Sequence, residues 1–159
     1  NIGYAAALKS GLSFVLDKYE TICVIDADGE IPPDIFKKYL DTPLNNSFII
    51  GDRQTKNRFV ESFICKFLNL NSKMNDPLCG GFVISGKLNK AILNKISRAE
   101  IDNCFFTYKF TACQLAQKVL NIHFKPKKRN GKSRFGSGLA LQLDILRSYI
   151  KAAYYAANN

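Results

Sequence analysis

Apolar residues recur at helical spacing over residues 4–16, where Ala5, Leu8, Leu12, Val15 and Leu16 fall together, and a β-branched run at 21–25 stops abruptly at Asp26. This predicts a helix leading into a buried strand. Pro32 and Pro33 open a second helical stretch, 33–40, with Pro33 near the first helical position, where its missing N–H costs little. The same reading predicts strands at 47–50 and 81–85, helices at 59–70, 88–96 and 108–120, and a last short strand at 122–125. Strands alternating with helices imply an α/β fold whose mainly parallel sheet is covered on both faces, with ligands at the carboxyl ends of the strands. One stretch escapes this pattern: residues 125–138 (KPKKRNGKSRFGSG) hold six basic side chains, three glycines and no acid, and read as a cationic loop. Beyond it, Leu139, Leu143, Leu146, Ile150, Tyr154 and Ala157 line one face of an amphipathic helix at 139–157, with Arg147 and Lys151 on another. That helix is expected to pack on the sheet; the alternative is a membrane interface beside anionic lipid.

Charge changes the picture of the second half. The chain of 159 residues has 23 Lys and Arg against 13 Asp and Glu; residues 1–80 hold 9 and 10 of these, residues 81–159 hold 14 and 3. Such an asymmetry predicts an anionic partner for the second half: nucleic acid, anionic lipid or a phosphorylated small molecule. Five cysteines, Cys23, Cys65, Cys79, Cys104 and Cys113, include no C-x-x-C pair and sit mostly in apolar stretches. Buried thiols fit this better than a disulfide framework or a zinc site, which favours the cytosol. No stretch of 18 uninterrupted apolar residues and no signal-peptide pattern occurs in the sequence.

The most informative chemistry is Asp26-Ala27-Asp28-Gly29-Glu30 at the end of the first strand. Side chains two apart in an extended chain point the same way, so Asp26 and Asp28 are expected to converge, with Glu30 joining after the turn at Gly29. Mg²⁺ or Mn²⁺ is held by one or two carboxylates with water and substrate phosphates filling the shell, so a nucleotide diphosphate would complete such a site. The competing reading is a pair of acids at the N-terminus of the next helix. Arg53 follows a strand, and Arg58 with Ser62 stands at i, i+4; guanidinium and hydroxyl suit a phosphate, although spacing alone favours a solvated helix surface. Arg129, Lys132, Ser133 and Arg134, between Gly131 and Gly136, supply donors suited to closing over a diphosphate. A single interleaved aromatic, Phe135, is too few for a base-stacking platform, so nucleic acid ranks below diphosphate. His123, alone on a strand, reads as a satisfied structural residue, and Cys104 and Cys113 lack a second His for a nucleophilic set.

In order along the chain, these pieces resemble the family-2 glycosyltransferases of GT-A fold, especially the branch that moves a sugar from a nucleotide donor to a polyprenyl phosphate, as in dolichyl-phosphate mannose synthases. The matching pieces are Asn1-x-Gly3 with Ala6 and Gly11, DADGEIPPDI at 26–35, GDR at 51–53, Arg58-x-x-x-Ser62, Asp76 leading to GGF at 80–82, and RNGKSRFG at 129–136. The resemblance implies a GT-A, Rossmann-like catalytic domain over 1–138, N-terminally incomplete, followed by a membrane-proximal amphipathic helix at 139–159. It implies that Asp26, Asp28 and Glu30 hold Mg²⁺ or Mn²⁺ and the donor diphosphate, with Asp28 as the catalytic candidate. Relatives often have Gln where Glu30 stands. Asn1, Gly3, Arg129, Lys132 and Ser133 would bind the donor; Arg53, Arg58 and Ser62 would bind the acceptor phosphate. The implied location is the cytoplasmic face of a membrane, in peripheral contact.

Family members that use hydroxyl acceptors often carry an acidic base at the start of the helix that here runs from Tyr108. Phe106, Thr107, Tyr108 and Lys109 include no acid, and only Glu100 and Asp102 stand nearby. A sugar hydroxyl must lose its proton as it attacks, whereas a phosphate is already ionised, so the missing acid leans toward a phosphate acceptor. Two alternatives stand beside this reading. The resemblance implies inversion at the anomeric carbon; one alternative is transfer to a sugar hydroxyl in glycan or polysaccharide synthesis, with Asp102 or Glu100 as base, and the other is a non-enzymatic binder of nucleic acid or anionic membranes through the 125–134 loop.

Overall fold

The computed structural model describes residues 3–41, 44–56, 58–68, 73–96, 104–128 and 138–158. Helix α1 (Tyr4–Phe14) precedes strand β1 (Thr21–Val24), and a short helix α2 (Asp34–Lys37) leads to β2 (Ser47–Arg53). Helix α3 (Phe59–Phe63) continues as a π-helix at Ile64–Leu68. Strand β3 (Phe82–Ser85), α4 (Gly86–Ile96), α5 (Phe106–Leu115), β4 (Lys118–Phe124) and α6 (Leu139–Asn158) complete the order. The expected 33–40 helix is therefore one turn, and the described part of the 59–70 helix changes from α to π after Phe63.

Among the described residues the four strands form one sheet in the order β1-β3-β2-β4. It is mixed, correcting the expected mainly parallel sheet: β3 runs antiparallel to both neighbours, and only β2 and β4 are parallel. The chain leaves β2 at Arg53 and returns to the same end of the sheet at Phe82, where the Gly51 amide donates to the Gly81 carbonyl at 3.0 Å. A buried strand is apolar on both faces whichever way it runs, so its hydrophobic pattern does not report direction.

The expected helix at 108–120 ends at Leu115, and residues 118–120 belong to β4. Ala116 has already turned extended, and β4 pairs with β2 over seven residues, from Ser47↔Lys118 to Arg53↔Phe124. Val119 and Leu120 satisfy either period, and the ladder with β2 decides between them. All residues of β2 and β3 are buried, so both faces of the sheet centre are covered, as expected. Fully buried Phe48, Ile49 and Ile50 each contribute about 1.5–3 kcal/mol of transfer free energy.

A second cluster forms away from the sheet, where Ile145, Tyr149 and Ala152 of α6 pack with Val60, Ile64 and Phe106. Tyr149 meets Phe106 and Phe110 edge-on at 5.4 and 5.3 Å. Helix α6 thus packs on α3 and α5 and not on the sheet. Of the stripe read from the sequence Leu146 packs against this cluster, while Leu139, Leu143, Ile150 and Tyr154 are exposed, Ile150 by 55%. Among the described residues no helix is long and apolar enough to cross a membrane.

Candidate active site at the strand ends

Strand β1 ends at Val24, and the chain passes through Ile25 to Asp26 before turning at Gly29, whose φ of 78° is the left-handed conformation glycine adopts without strain. The half-buried Asp26 carboxylate is gripped from two sides. The Tyr4 hydroxyl donates to its Oδ1 at 3.5 Å, bringing the start of α1, and with it Gly3, beside β1. From the other side the Gly80 backbone presses so close that a Cβ there would lie 1.9 Å from Asp26 Oδ2. Burial, and then the Asp26 charge, push the Tyr4 phenol well above its ordinary pKa, so it stays a neutral donor.

Asp28 accepts the Glu30 amide at 3.0 Å through Oδ1, a bond within the turn. Glu30 looks toward the Arg53 guanidinium at 4.0 Å. The expected convergence of three acids on one point is therefore corrected: among the described residues no three His, Cys, Asp or Glu side chains are gathered tightly enough to hold a metal ion. Arg53 draws Glu30 away. Asp26 and Asp28 carry hard oxygen donors of the kind a divalent cation takes together with phosphate and water.

A cavity of about 520 Å³ opens here, lined by Ile25, Asp26, Ala27, Gly29, Ile31, Pro32, Pro33 and Lys127. Lys127 belongs to the basic stretch of the sequence. Its amide donates to the Glu30 carbonyl at 2.9 Å, so the chain at Lys127 is tied to the acidic turn itself. Arg129, Lys132, Ser133 and Arg134, like Asn1, Glu100 and Asp102, lie outside the described residues.

At the end of β2 the arrangement is different. Asp76 is fully buried and accepts three hydrogen bonds from Arg53: Nε at 2.8 Å and the amide at 3.3 Å on Oδ2, and a guanidinium nitrogen at 3.1 Å on Oδ1. Burial alone would raise its pKa, but the Arg53 hydrogen bonds and charge, joined by Lys56, hold the carboxyl below the ordinary aspartate range. Glu61, equally buried, lies 3.4 Å from Arg53 and 2.6 Å from Arg58. Lys56 joins Asp52 at 3.2 Å and Asp76 at 3.3 Å, and His123, an exposed side chain, meets Asp52 at 2.8 Å.

Arg53 and Arg58 are thus brought together, but on protein carboxylates. Arg58 is the residue before α3, with extended backbone, so it does not share the i, i+4 helix face expected with Ser62; its guanidinium turns to Glu61 instead. The Ser62 amide does bond to the Arg58 carbonyl at 3.2 Å, which keeps the two a turn apart. Cys65 and Cys79 sit by the same network, and burial followed by the Asp76 charge pushes both thiols up to about 12. As they stand, both thiols are protonated at neutral pH.

Sequence reasoning missed Lys56 and Glu61, and noted Asp52 and Asp76 only as parts of motifs and Lys127 only as part of the cationic loop. One signal was available for Asp52: a carboxylate in the buried run FIIGDR demands a cation partner.

No family model matches the chain, and no curated protein matches it in sequence. Among solved structures the chain is similar to glucosyl-3-phosphoglycerate synthase from Mycobacterium tuberculosis. In complex with phosphoglyceric acid that structure gives a TM-score of 0.49 at 15% identity. In complex with Mn²⁺, uridine-diphosphate-glucose and glycerol 3-phosphate it gives 0.47 at 14%. Each match covers 97% of this chain and 55% of the other, so the chain spans about half the length of the structures it matches.

Proposed function

We propose that this chain is part of the catalytic domain of a GT-A glycosyltransferase that moves a sugar from a nucleotide-diphosphate donor to a polyprenyl phosphate at a membrane surface. The observation that carries the reading is the cavity where Asp26 and Lys127 face one space, with Lys127 tied to the acidic turn through the Glu30 carbonyl. An acid and a base at one strand end suit a ligand that brings both a divalent cation and a diphosphate. Asp26 and Asp28 would hold Mg²⁺ or Mn²⁺, which when bound neutralises the diphosphate charge. Lys127 faces the same diphosphate, and Arg129, Lys132 and Ser133 follow directly in sequence as the resemblance requires.

The acceptor phosphate is assigned to Arg58, the most exposed of the three cations around Glu61 and Asp76, with Arg53 and Ser62 behind it. Its oxygen attacks the anomeric carbon; the bond from that carbon to the diphosphate breaks, and the nucleoside diphosphate leaves with the electron pair. No base is needed, which accords with the start of α5, where Phe106, Thr107, Tyr108 and Lys109 are all buried and none is acidic. Exposed Phe59 and Phe67 on α3 and its π-helical extension, with exposed Leu139, Leu143 and Ile150 on α6, support a lipid-facing surface.

Titration of the chain and of Asp28→Ala with GDP and UDP, with and without Mn²⁺, tests the donor half. Metal-dependent binding that disappears in the variant is expected; binding of nucleic acid with no metal requirement would replace the reading with that of a binding module. Flotation on anionic liposomes tests the membrane half, with Leu143→Ser and Ile150→Ser expected to weaken it and leave the fold intact.

A further inference from the structure

Among the described residues Lys109 is the most deeply buried cation, at 1% exposure, and its ammonium donates to two backbone carbonyls, Pro77 and Cys79, each at 2.8 Å. An ammonium in such a place costs several kcal/mol in desolvation, in order-of-magnitude terms, and an apolar side chain of similar length would fill the space more cheaply. The two carbonyls it holds belong to the strap that begins at Asp76 and ends at Gly80. Gly80 is the residue whose backbone bears on the Asp26 carboxylate. The line of contact therefore runs from α5 through Lys109 to the strap, and from the strap to the acidic end of β1.

The anchor at the α5 end is rigid. Phe105, immediately before the helix, holds a left-handed φ of 61° and stacks on Tyr108 at 4.6 Å. The Tyr108 hydroxyl donates to Asn89 Oδ1 at 2.7 Å, and Asn89 in turn donates to the Leu12 carbonyl at 3.2 Å, joining α5 to α4 and α1. At its other end the strap is pinned by the Asp76–Arg53 pair. Residues 77–80 are thus clamped at both ends, and Gly80 has little freedom to retreat from Asp26.

We propose that Lys109 is a positioning residue for the acidic end of β1: through the carbonyls of Pro77 and Cys79 it sets Gly80 against Asp26, and so fixes the carboxylate that faces the donor cavity. This rests on the reading of that cavity as the metal and nucleotide site. The charge works in the same direction as the geometry. Burial lowers the Lys109 pKa below the ordinary lysine value and the Asp26 and Asp76 carboxylates oppose that shift, so Lys109 and the Asp26 carboxylate lie within each other's field.

The test uses the whole chain with ¹³C-labelled aspartate, the Asp26 carboxyl resonance being assigned with Asp26→Asn. Lys109→Met is expected to move that resonance and to weaken Mn²⁺-dependent UDP or GDP binding by about 10- to 100-fold, the range for residues that orient metal ligands from behind. Lys109→Arg, which keeps the charge and the donors, is expected to recover part of both. A Lys109 that only stabilises the fold would lower the melting temperature of Lys109→Met and leave the resonance and the affinity of the folded protein where they were, and that result overturns the proposal. Should Lys109→Met not fold, Gly80→Ala presses on Asp26 from the strap side with Lys109 intact. An unmoved Asp26 resonance in that variant overturns the proposal equally. Absence of nucleotide binding by the wild-type chain would overturn the functional reading alone, because the carboxyl resonance judges the positioning without any ligand.

Discussion

The ends of β1 and β2 carry the same kinds of side chain in the same sheet and treat them in opposite ways. At the end of β2, Arg53, Lys56 and Arg58 are matched by Asp52, Glu61 and Asp76 at 2.6–3.4 Å, mostly out of solvent. At the end of β1, Asp26 borders an open cavity, and the cation nearest in that cavity, Lys127, arrives from a segment a hundred residues later. Buried charges paired on one another are fixed by the fold, and a carboxylate that borders a cavity is placed to meet a ligand. Glu30 joins the two regions, with its carboxylate toward Arg53 and its carbonyl on Lys127.

The comparison breaks most directly at its most buried member. Asp76→Ala leaves Arg53 buried without its main partner, which costs about 3–5 kcal/mol. Asp28→Ala is expected to stay within about 1 kcal/mol of wild type, because the residue is only half-buried, while abolishing metal-dependent nucleotide binding. Urea denaturation followed by nucleotide titration measures both; equal destabilisation by the two changes would erase the distinction between a locked strand end and an open one. Acid separates the ends as well. The Asp76 pKa is lower in the folded chain than in the unfolded one, so its contribution is complete above the ordinary aspartate value of about 4 and is lost as the pH falls below it. In Asp76→Asn that acid-side loss of stability is expected to shrink, as read from melting temperature against pH.

How much of this was legible in the sequence follows from the range of the interactions. The acidic turn was legible because a β-branched run, two acids and a glycine are local signals that act over a few residues. The locked end was not. Asp76 is 23 residues from Arg53, and their pairing depends on the excursion through α3 returning to the same end of the sheet, the same event that makes β3 antiparallel. Helix α6 shows the other limit: its sequence carries two apolar stripes, and only the contact with Val60, Ile64 and Phe106 selects the Ile145, Tyr149 and Ala152 stripe as the buried one.

Glu61 tests whether the locked end can open. Its carboxylate lies between Arg53 and Arg58, in the place an acceptor phosphate would take if these arginines bind one. Glu61→Gln keeps a hydrogen-bonding acceptor and removes the competing charge. The expected cost is about 1–3 kcal/mol of stability, with tighter binding of a short-chain prenyl phosphate by roughly tenfold, equivalent to about 1.4 kcal/mol. Lower stability without tighter binding would make the cluster purely structural and move the acceptor elsewhere.

The smallest effect is expected at Lys127, and it sharpens the contrast from the open side. The side chain is exposed, and its tie to Glu30 is made by the backbone amide, so Lys127→Ala keeps that bond and is expected to change stability by less than about 0.5 kcal/mol. What it removes is one positive charge at the mouth of the cavity. Mn²⁺-dependent binding of UDP or GDP should weaken by roughly two- to fivefold, the scale of a solvent-screened charge contact of about 0.5–1 kcal/mol. The deficit should also narrow as salt is raised, because screening lengths fall to about 3 Å at 1 M. A deficit that persists unchanged in high salt would mean that Lys127 acts through the shape of the turn, and that the open end, like the locked one, is held by contacts within the chain.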